Sequence, residues 1–527
     1  MQEVWTVLFN SYIFVFLFFP CCLLGYYGFM HFRQVRAAKV FLIAMSFWFY
    51  GYFNVSYLFI MACSIGGNYI FYRVLSDKKS RPVMALAVAA NLGVLFYFKY
   101  FDFFLSTVNA IFGSSMALYN VLLPLGISFF TFQQISFIVD TYHGEVERCS
   151  LTDYALFVSF FPQLIAGPIV SHSEMLPQFA RMGEKKISWE QAARGLSLFI
   201  LGLAKKVLIA DVFGAGVDYG YENLELLGCP DAVLVIVFYT LQLYFDFSGY
   251  CDMARGIGRM LGIELPVNFD SPYKAGNIID FWKRWHITLN RFFTKYVYIP
   301  LGGNRRGQAR MYANLMIVFL LSGLWHGAGW NYLVWGGMHG VLYVLTRFWM
   351  KNLKQRLFCA HRNAGNPSSG EAHGQVSRTT AVPAGGAAAQ AGHIIMTYMS
   401  RILLFCYVGV AWVYFRAQSV AQANRMLHIA LQGRMQKVSL ELAECFQVDE
   451  FWYVLKVLRL DSRSYSRYIL MWAILAAGIY FAMVGKNAAE RVERMKFKPV
   501  SAMVFAVLAL WCVLTFSKVS TFLYFNF

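Results

Sequence analysis

An all-α, polytopic membrane protein is what this chain predicts, on three grounds. Hydrophobic residues fill 58% of its 527 positions and charged residues only 14%, against roughly 25% charged in a soluble domain. Apolar runs long enough to cross a bilayer recur along most of the length. These runs are continuous, which excludes an outer-membrane barrel, whose strands read as segments of about ten alternating residues. At about 20 apolar residues per crossing, ten to twelve membrane helices are expected.

The runs justify themselves in order. Val7 to Met30, Val83 to Phe98, Ala192 to Leu208, Ala232 to Phe247, Ile394 to Tyr414, Tyr468 to Val484 and Val500 to Phe516 are each long and apolar. Val40 to Phe53 is short, and with other runs broken by Gly or Pro it reads as re-entrant or tilted. The first run has no basic residues before it, so it is expected to stay on the protein rather than be cleaved as a signal peptide. Mean hydropathy is +0.49.

The net charge of +18 would suggest nucleic acid in a soluble protein. Here Lys and Arg collect in loops, at His31 to Lys39, Arg73 to Arg81, Arg181 to Arg194, Arg255 to Arg310, Arg347 to Arg362 and Lys486 to Lys498. Between them Gly214 to Asp231 carries Asp218, Glu222, Glu225 and Asp231 and no cation. That alternation is the positive-inside pattern of a protein whose partner is the lipid bilayer, not nucleic acid. It places Arg255 to Arg310 in the cytoplasm and both termini outside, in the cytoplasmic (inner) membrane of a cell. The ten cysteines form no CxxC pair and read as small buried hydrophobes.

Three segments organise the chain: a membrane core over 1–360 with its reactive region at 244–340, an Ala/Gly/Ser-rich linker over 361–393, and C-terminal membrane helices over 394–527. Within the last, 416–467 is polar and interfacial, and its amphipathic stretch Ala421 to Leu431 either lies on the membrane surface or docks on the bundle. Arg255 to Arg310 mixes basic, aromatic and apolar residues, as short interfacial helices do. Its positive charge would attract a phosphate-bearing substrate.

Of the ten histidines, His31, His361, His373 and His393 fall in loops or linkers, His428 in the amphipathic stretch, and His143 and His172 flank an apolar segment. His286, His326 and His339 sit in apolar, aromatic surroundings. His326 stands out, in Ser322-Gly323-Leu324-Trp325-His326-Gly327. An ionisable side chain at membrane depth marks a functional site, and a neutral imidazole can take the proton of a hydroxyl as it attacks an acyl donor. The alternative is a structural histidine bonded to a neighbouring helix. His286 follows Trp285 as His326 follows Trp325; it orients His326, binds the donor, or simply sits in the interface. His339, among glycines, reads as packed. Asp246 and Asp252 lie in an apolar stretch and need cationic partners, with Arg255 and Arg259 the nearest by spacing; Asp140 reads the same way. There is no GxSxG elbow, no phosphate-binding loop and no dinucleotide fingerprint. No His/Cys/Asp/Glu set has metal-ligand spacing, so no metal and no bound cofactor is expected.

Several longer motifs carry a resemblance. Tyr244–Ala254 (YFDFSGYCDMA), Leu265–Phe269 with Pro272-Tyr273, Phe281–Leu289 (FWKRWHITL), Tyr298–Arg305 (YIPLGGNR) and Ser322–Gly327 (SGLWHG) resemble, in order and spacing, the membrane-bound O-acyltransferase family. The bacterial branch that acetylates alginate is the nearest in pattern. Pro124–Gln133, Phe161–Ile169, Trp412–Ala417 and Phe522–Phe527 fit it too, so the resemblance covers nearly the whole chain. Two departures are the Phe292–Tyr296 stretch and a longer linker. The resemblance implies a helical bundle around a tunnel, with His326 as the family's catalytic histidine and His286 as its second polar position. Trp285, Trp325, Asp246, Asp252 and Asn290 would then border the donor and acceptor path. It implies acetyl transfer from a cytoplasmic donor such as acetyl-coenzyme A to hydroxyls of an exported cell-surface polysaccharide. An extracellular or periplasmic esterase-like acetyltransferase and glycan export machinery would be its partners. A teichoic acid D-alanyltransferase is the second reading; the additional C-terminal spans count against it. A transporter with proton-relay histidines is the third, and the matching broken halves usual in transporters are missing from the sequence.

Overall fold

A computed structural model describes residues 8–184, 188–364, 387–433, 436–446, 464–518 and 522–523, with 453, 456, 457 and 459 besides. Described residues outside loops are helical. Six helical stretches among them are long and apolar enough to cross a membrane: Phe14–His31, Val55–Asp77, Arg81–Phe112, Cys229–Met260, Ile394–Arg416 and Tyr465–Met483. Pro499–Leu514 is a shorter apolar helix. The rest of the expected spans are shorter or interrupted pieces.

In chain order the helices are α1 (Phe19–His31), α2 (Val35–Gly51), α3 (Val55–Asp77), α4 (Arg81–Leu95), α5 (Phe101–Phe112), α6 (Ile127–His143), α7 (Leu151–Ser159), α8 (Phe161–Leu164), α9 (His172–Ala180), α10 (Trp189–Ala204), α11 (Asp211–Glu222) and α12 (Cys229–Met260). There follow α13 (Ile278–Arg284), α14 (Ile287–Phe293), α15 (Gln308–His326), α16 (Trp330–Ala364), α17 (Ala387–Arg416), α18 (Val420–Leu431), α19 (Leu440–Glu444), α20 (Ser464–Met483), α21 (Ala488–Arg494) and α22 (Pro499–Leu514). Short π-helical turns interrupt the ladder at Phe14–Phe18, Phe96–Tyr100, Lys205–Ala210 and Thr294–Tyr298. Side-chain caps start many helices. Ser171 and Glu174 close a capping box at α9, and the Asn277 side chain accepts from the Asp280 amide at 2.9 Å to start α13.

The centre is α12, of whose most apolar window 83% is buried, against 17% to 28% in the other candidate spans. Glycines let α10 cross it closely. A methyl group on Gly202 would stand 2.6 Å from the Gly249 carbonyl, and one on Gly195 2.7 Å from that of Gly256. Such small-residue contacts substitute for a hydrophobic drive that lipid does not supply. The α15–α16 hairpin uses the same device, with Gly323 against the Tyr332 carbonyl and Gly336 against that of Phe319. Outer helices turn apolar side chains outward, among them Phe59, Ile70, Leu86 and Leu510, as lipid contact requires.

Two expectations change here. Cys22, Cys251 and Cys512 are buried, but Cys21, Cys63 and Cys406 are exposed. All three lie on spanning helices, where lipid replaces a protein core as their apolar surroundings. The amphipathic stretch forms α18 and packs on α12, α16 and α17, with Ala423 and Met426 fully buried; of the two placements open to it, it takes docking. Helix α16 continues to Ala364 and α17 begins at Ala387, and most of the 361–393 linker lies outside the described residues, as do the side chains of His361, His373 and His393.

Candidate active site

Three elements converge on one aromatic cage. Helix α15 ends on His326, and the hairpin turns back into α16 through Gly327 to Gly329. His286 sits between α13 and α14, and α16 contributes Trp335 and His339. Relative exposure is 0% for His286, 2% for His326 and 0% for His339.

His286 adopts a left-handed backbone, φ +46° and ψ +52°, which a residue bearing a Cβ holds only when its surroundings enforce it. The enforcement is visible. The Ile287 amide donates to the Asn268 carbonyl at 3.0 Å, and the Asp270 amide to that of Arg284 at 2.9 Å. The Thr288 amide and hydroxyl both donate to Oδ1 of Asn268, at 3.2 and 3.0 Å. Asn290 closes the other side, its Nδ2 donating to the carbonyls of Trp282 and Trp285. The Leu265–Phe269 motif is thus a brace that fixes the turn carrying His286.

The His286 and His326 rings lie 6.1 Å apart, centroid to centroid. That is the separation of rings packed directly against each other. Aromatic rings enclose the pair. Trp325 lies 4.8 Å from His326 and 5.8 Å from His286. Trp335 and Phe415 lie 5.1 Å from His326, and Phe247 4.9 Å from His286. Trp335 also lies 4.9 Å from His339. The indole N–H groups of Trp325 and Trp335, and both ring nitrogens of His339, meet no hydrogen-bond partner among the described residues. The cage therefore offers donors, and among the described residues no carboxylate is in the contacts around it.

Two cavities approach from either side of α14. One, of about 310 Å³, is lined by Trp282, Asn290, Arg291, Phe319 and Tyr343. The other, of about 200 Å³, is lined by Ser136, Glu174, Thr288, Phe292 and Lys295. Aromatic rings separate each from the histidine pair: Trp282, which lines the first, meets Trp335 at 5.9 Å, and Phe292, which lines the second, stacks on Phe132 at 4.1 Å, which stacks on Trp325 at 5.6 Å. A larger cavity of about 550 Å³, lined by Tyr26, Arg181 and Arg259 among others, shares no residue with this cage.

The remaining sequence candidates separate from the pair. Trp285 is fully buried against Phe269 and Trp412, both at 5.0 Å. Asp246 pairs with Lys206 at 2.7 Å and accepts from the Leu523 amide at 3.0 Å. Asp252 pairs with Lys205 at 2.6 Å. The arginines expected by spacing are engaged elsewhere: Nε of Arg255 donates to the Leu265 carbonyl at 3.3 Å, and Arg259 pairs with Glu493. Close crossing at the glycines brings the lysines of the Lys205–Ala210 turn nearer than a partner on the same helix. Asp140 accepts from Tyr296 at 2.7 Å and bonds His172 at 3.0 Å.

The fold also gathers Asp140, Glu145 and His172 with ligand atoms within 4.8 Å of one another. Nζ of Lys295 sits 2.8 Å from Asp140 and 2.6 Å from Glu145, so an ammonium already supplies the positive charge there. The sequence reading missed Lys99 and Tyr100, which reach the end of α15. A lone lysine in an apolar run, in Phe96-Tyr97-Phe98-Lys99-Tyr100, was the signal that could have found them.

Known proteins bear on this geometry. Residues 139–370 match the membrane-bound O-acyltransferase family. The chain is similar to a peptidoglycan O-acetyltransferase of Helicobacter pylori, 36% identical over 100% of this chain and 98% of that one. It is also similar to a probable alginate O-acetylase of Pseudomonas aeruginosa, 35% identical over 80% of this chain and 74% of that one. A teichoic acid D-alanyltransferase of Streptococcus thermophilus is 26% identical over 44% of this chain and 58% of its own length. A multi-pass, all-helical bundle, a buried histidine pair and full-length similarity at this level have one reading: the chain is an acyltransferase and belongs to the membrane-bound O-acyltransferase family.

Proposed function

We propose that this enzyme transfers an acetyl group from acetyl-coenzyme A, taken from the cytoplasmic side of the inner membrane, to a hydroxyl of a cell-surface glycan. The facing of His286 and His326 at 6.1 Å inside an aromatic, donor-lined cage carries the reading. His326 acts as general base: it takes the hydroxyl proton as the oxygen bonds to the acyl carbon. The carbon–sulfur bond breaks, and the thiolate leaves with the proton returned by the imidazolium. Indole N–H groups favour the negative charge that builds on the acyl oxygen. His286, packed against it, assists. The basic 255–310 segment would draw the donor's phosphates, and the acyl group would reach the glycan directly or through an esterase-like partner outside the membrane, beside the glycan export machinery.

The relative aligned from end to end acts, by its name, on peptidoglycan, so peptidoglycan is the first acceptor to test and alginate-type polymers the second. Muropeptides from cells expressing the protein should carry O-acetyl groups, and cells expressing His326→Ala at equal membrane abundance should not. Unchanged acetylation in the variant removes His326 from the mechanism. D-alanine esters, with a small acidic phosphopantetheine carrier copurifying, would replace acetylation by D-alanylation.

A further inference from the structure

Helix α15 delivers His326 on its last turn, and the last four carbonyls of any helix have no partner within it. Here the end is buried, so each must be met. The Gly323 carbonyl accepts from the Gly327 amide at 3.3 Å. The Leu324 carbonyl accepts from the Tyr100 hydroxyl at 2.9 Å. Nζ of Lys99 donates to the Trp325 carbonyl at 2.5 Å and to that of His326 at 3.5 Å. All four acceptors are accounted for, three of them by two consecutive side chains from a part of the chain more than 220 residues earlier.

Lys99 differs from Lys205 and Lys206 of the α10–α12 crossing. Lys205 and Lys206 have carboxylate partners; among the described residues Lys99 has no carboxylate within ion-pair distance. Its Nζ also meets the Ser128 hydroxyl at 3.2 Å, at the start of α6, and lies 5.8 Å from the Trp325 ring. These carbonyls are the negative end of the helix dipole, which favours a nitrogen donor there. The π-helical turn Phe96–Tyr100 lets adjacent residues reach one target, and such turns recur at functional sites.

We propose that Lys99 and Tyr100 are positioning residues for His326, fixing the last turn of α15 so that its imidazole stays directed at His286; the effect on turnover rests on the acetyl-transfer reading above. Lys99→Met removes the donor and keeps the stem. Lys99→Arg keeps charge and donors. Tyr100→Phe removes one bond of the three.

The full-length protein in lipid nanodiscs is assayed with labelled acetyl-coenzyme A and a soluble peptidoglycan fragment, and separately by hydrogen exchange of the peptide 322–330. Lys99→Met is expected to lower kcat about 10- to 100-fold, the scale of a misplacement near 1 Å, with KM for the donor within about two-fold. Lys99→Arg should recover most of it, and Tyr100→Phe should lie between. Amides of Leu324 to Gly327 should exchange faster in Lys99→Met and regain protection in Lys99→Arg. A raised KM with unchanged kcat, a loss of kcat that Lys99→Arg does not rescue, or unchanged exchange would each overturn the assignment. If the wild-type protein transfers no acetyl group, the proposed function falls, and the exchange contrast alone still decides whether these residues hold the α15 terminus.

Discussion

Asp246 and Phe247 are neighbours on α12, and the helix turns them about 100° apart into two different environments. Asp246 pairs with Lys206 at 2.7 Å, and six residues on, about 120° round the helix from it, Asp252 pairs with Lys205 at 2.6 Å. Phe247 faces His286 at 4.9 Å. On the first side each buried charge is neutralised in place. On the second, titratable rings are packed among aromatic rings, with hydrogen-bond donors left over. A buried ion pair fixes how helices cross but has no capacity left for a substrate. A cage of imidazole rings and indole N–H groups is weak as a fastener and suited to moving a proton.

The largest expected effect separates these sides by activity. His286→Gln and His326→Gln should each lower acetyl transfer about 10²- to 10⁴-fold, with thermal unfolding in detergent little changed. The double variant should fall no further than the worse single one, because residues acting as a unit are not additive. Losses that multiply would show two independent roles and break the pair as the site. Asp246→Ala should do the reverse. It leaves Lys206 its ion pair with Asp211, at 2.7 Å, and breaking a buried pair costs about 3–5 kcal/mol; the partner that stays places this case at the lower end. Activity per folded molecule should stay near that of the parent. If Asp246→Ala instead abolishes turnover at full stability, the charged side belongs to the reaction path after all.

The two sides were not equally legible in the sequence. His326 could be read from residues alone, because a histidine between Leu321 and Leu333 conflicts with its apolar neighbours wherever the chain goes. His286 could not: its flanks are basic and aromatic, so an interfacial residue looks the same, and only the motif resemblance joined it to His326. Its left-handed φ is imposed by Asn268, a long-range constraint that leaves no local trace. On the charged side the need for partners was legible and their identity was not. Spacing along one helix offers Arg255 and Arg259, whereas the partners come across the α10–α12 crossing that Gly202 and Gly249 permit. Membrane class and five of the six long spans were plain from composition; Val55–Asp77, its apolar run broken by Gly66, Gly67 and Asn68, was not named as one, nor were short helices such as α13 and α14, too brief for any periodicity.

That crossing supplies the third prediction. Gly202→Ala puts a methyl group 2.6 Å from the Gly249 carbonyl, so α10 must move away from α12, at a cost of about 1–3 kcal/mol for overpacking. Because the Lys205 and Lys206 pairs hang from the same crossing, Gly202→Ala and Asp246→Ala should show coupling in a double-mutant cycle. Additive losses would show that the ion pairs form without the glycine contact, and would sharpen the charged side into two separate fasteners.

The smallest effect tests whether pairing or burial matters on the charged side. Arg425 of α18 pairs with Glu225, their side chains 54% and 73% exposed. Water already solvates both groups, so the pair should contribute no more than about 1 kcal/mol, and less in high salt. Glu225→Gln should therefore shift the unfolding midpoint far less than Asp246→Ala, and the shift should vanish at 1 M salt, where the screening length falls to about 3 Å. A loss as large as that of Asp246→Ala would mean that α18 is held on α12 by charge rather than by the burial of Ala423 and Met426. The contrast between the two sides of α12 would then concern ion pairing in general, and not the desolvation that makes Lys206 and Asp246 depend on each other.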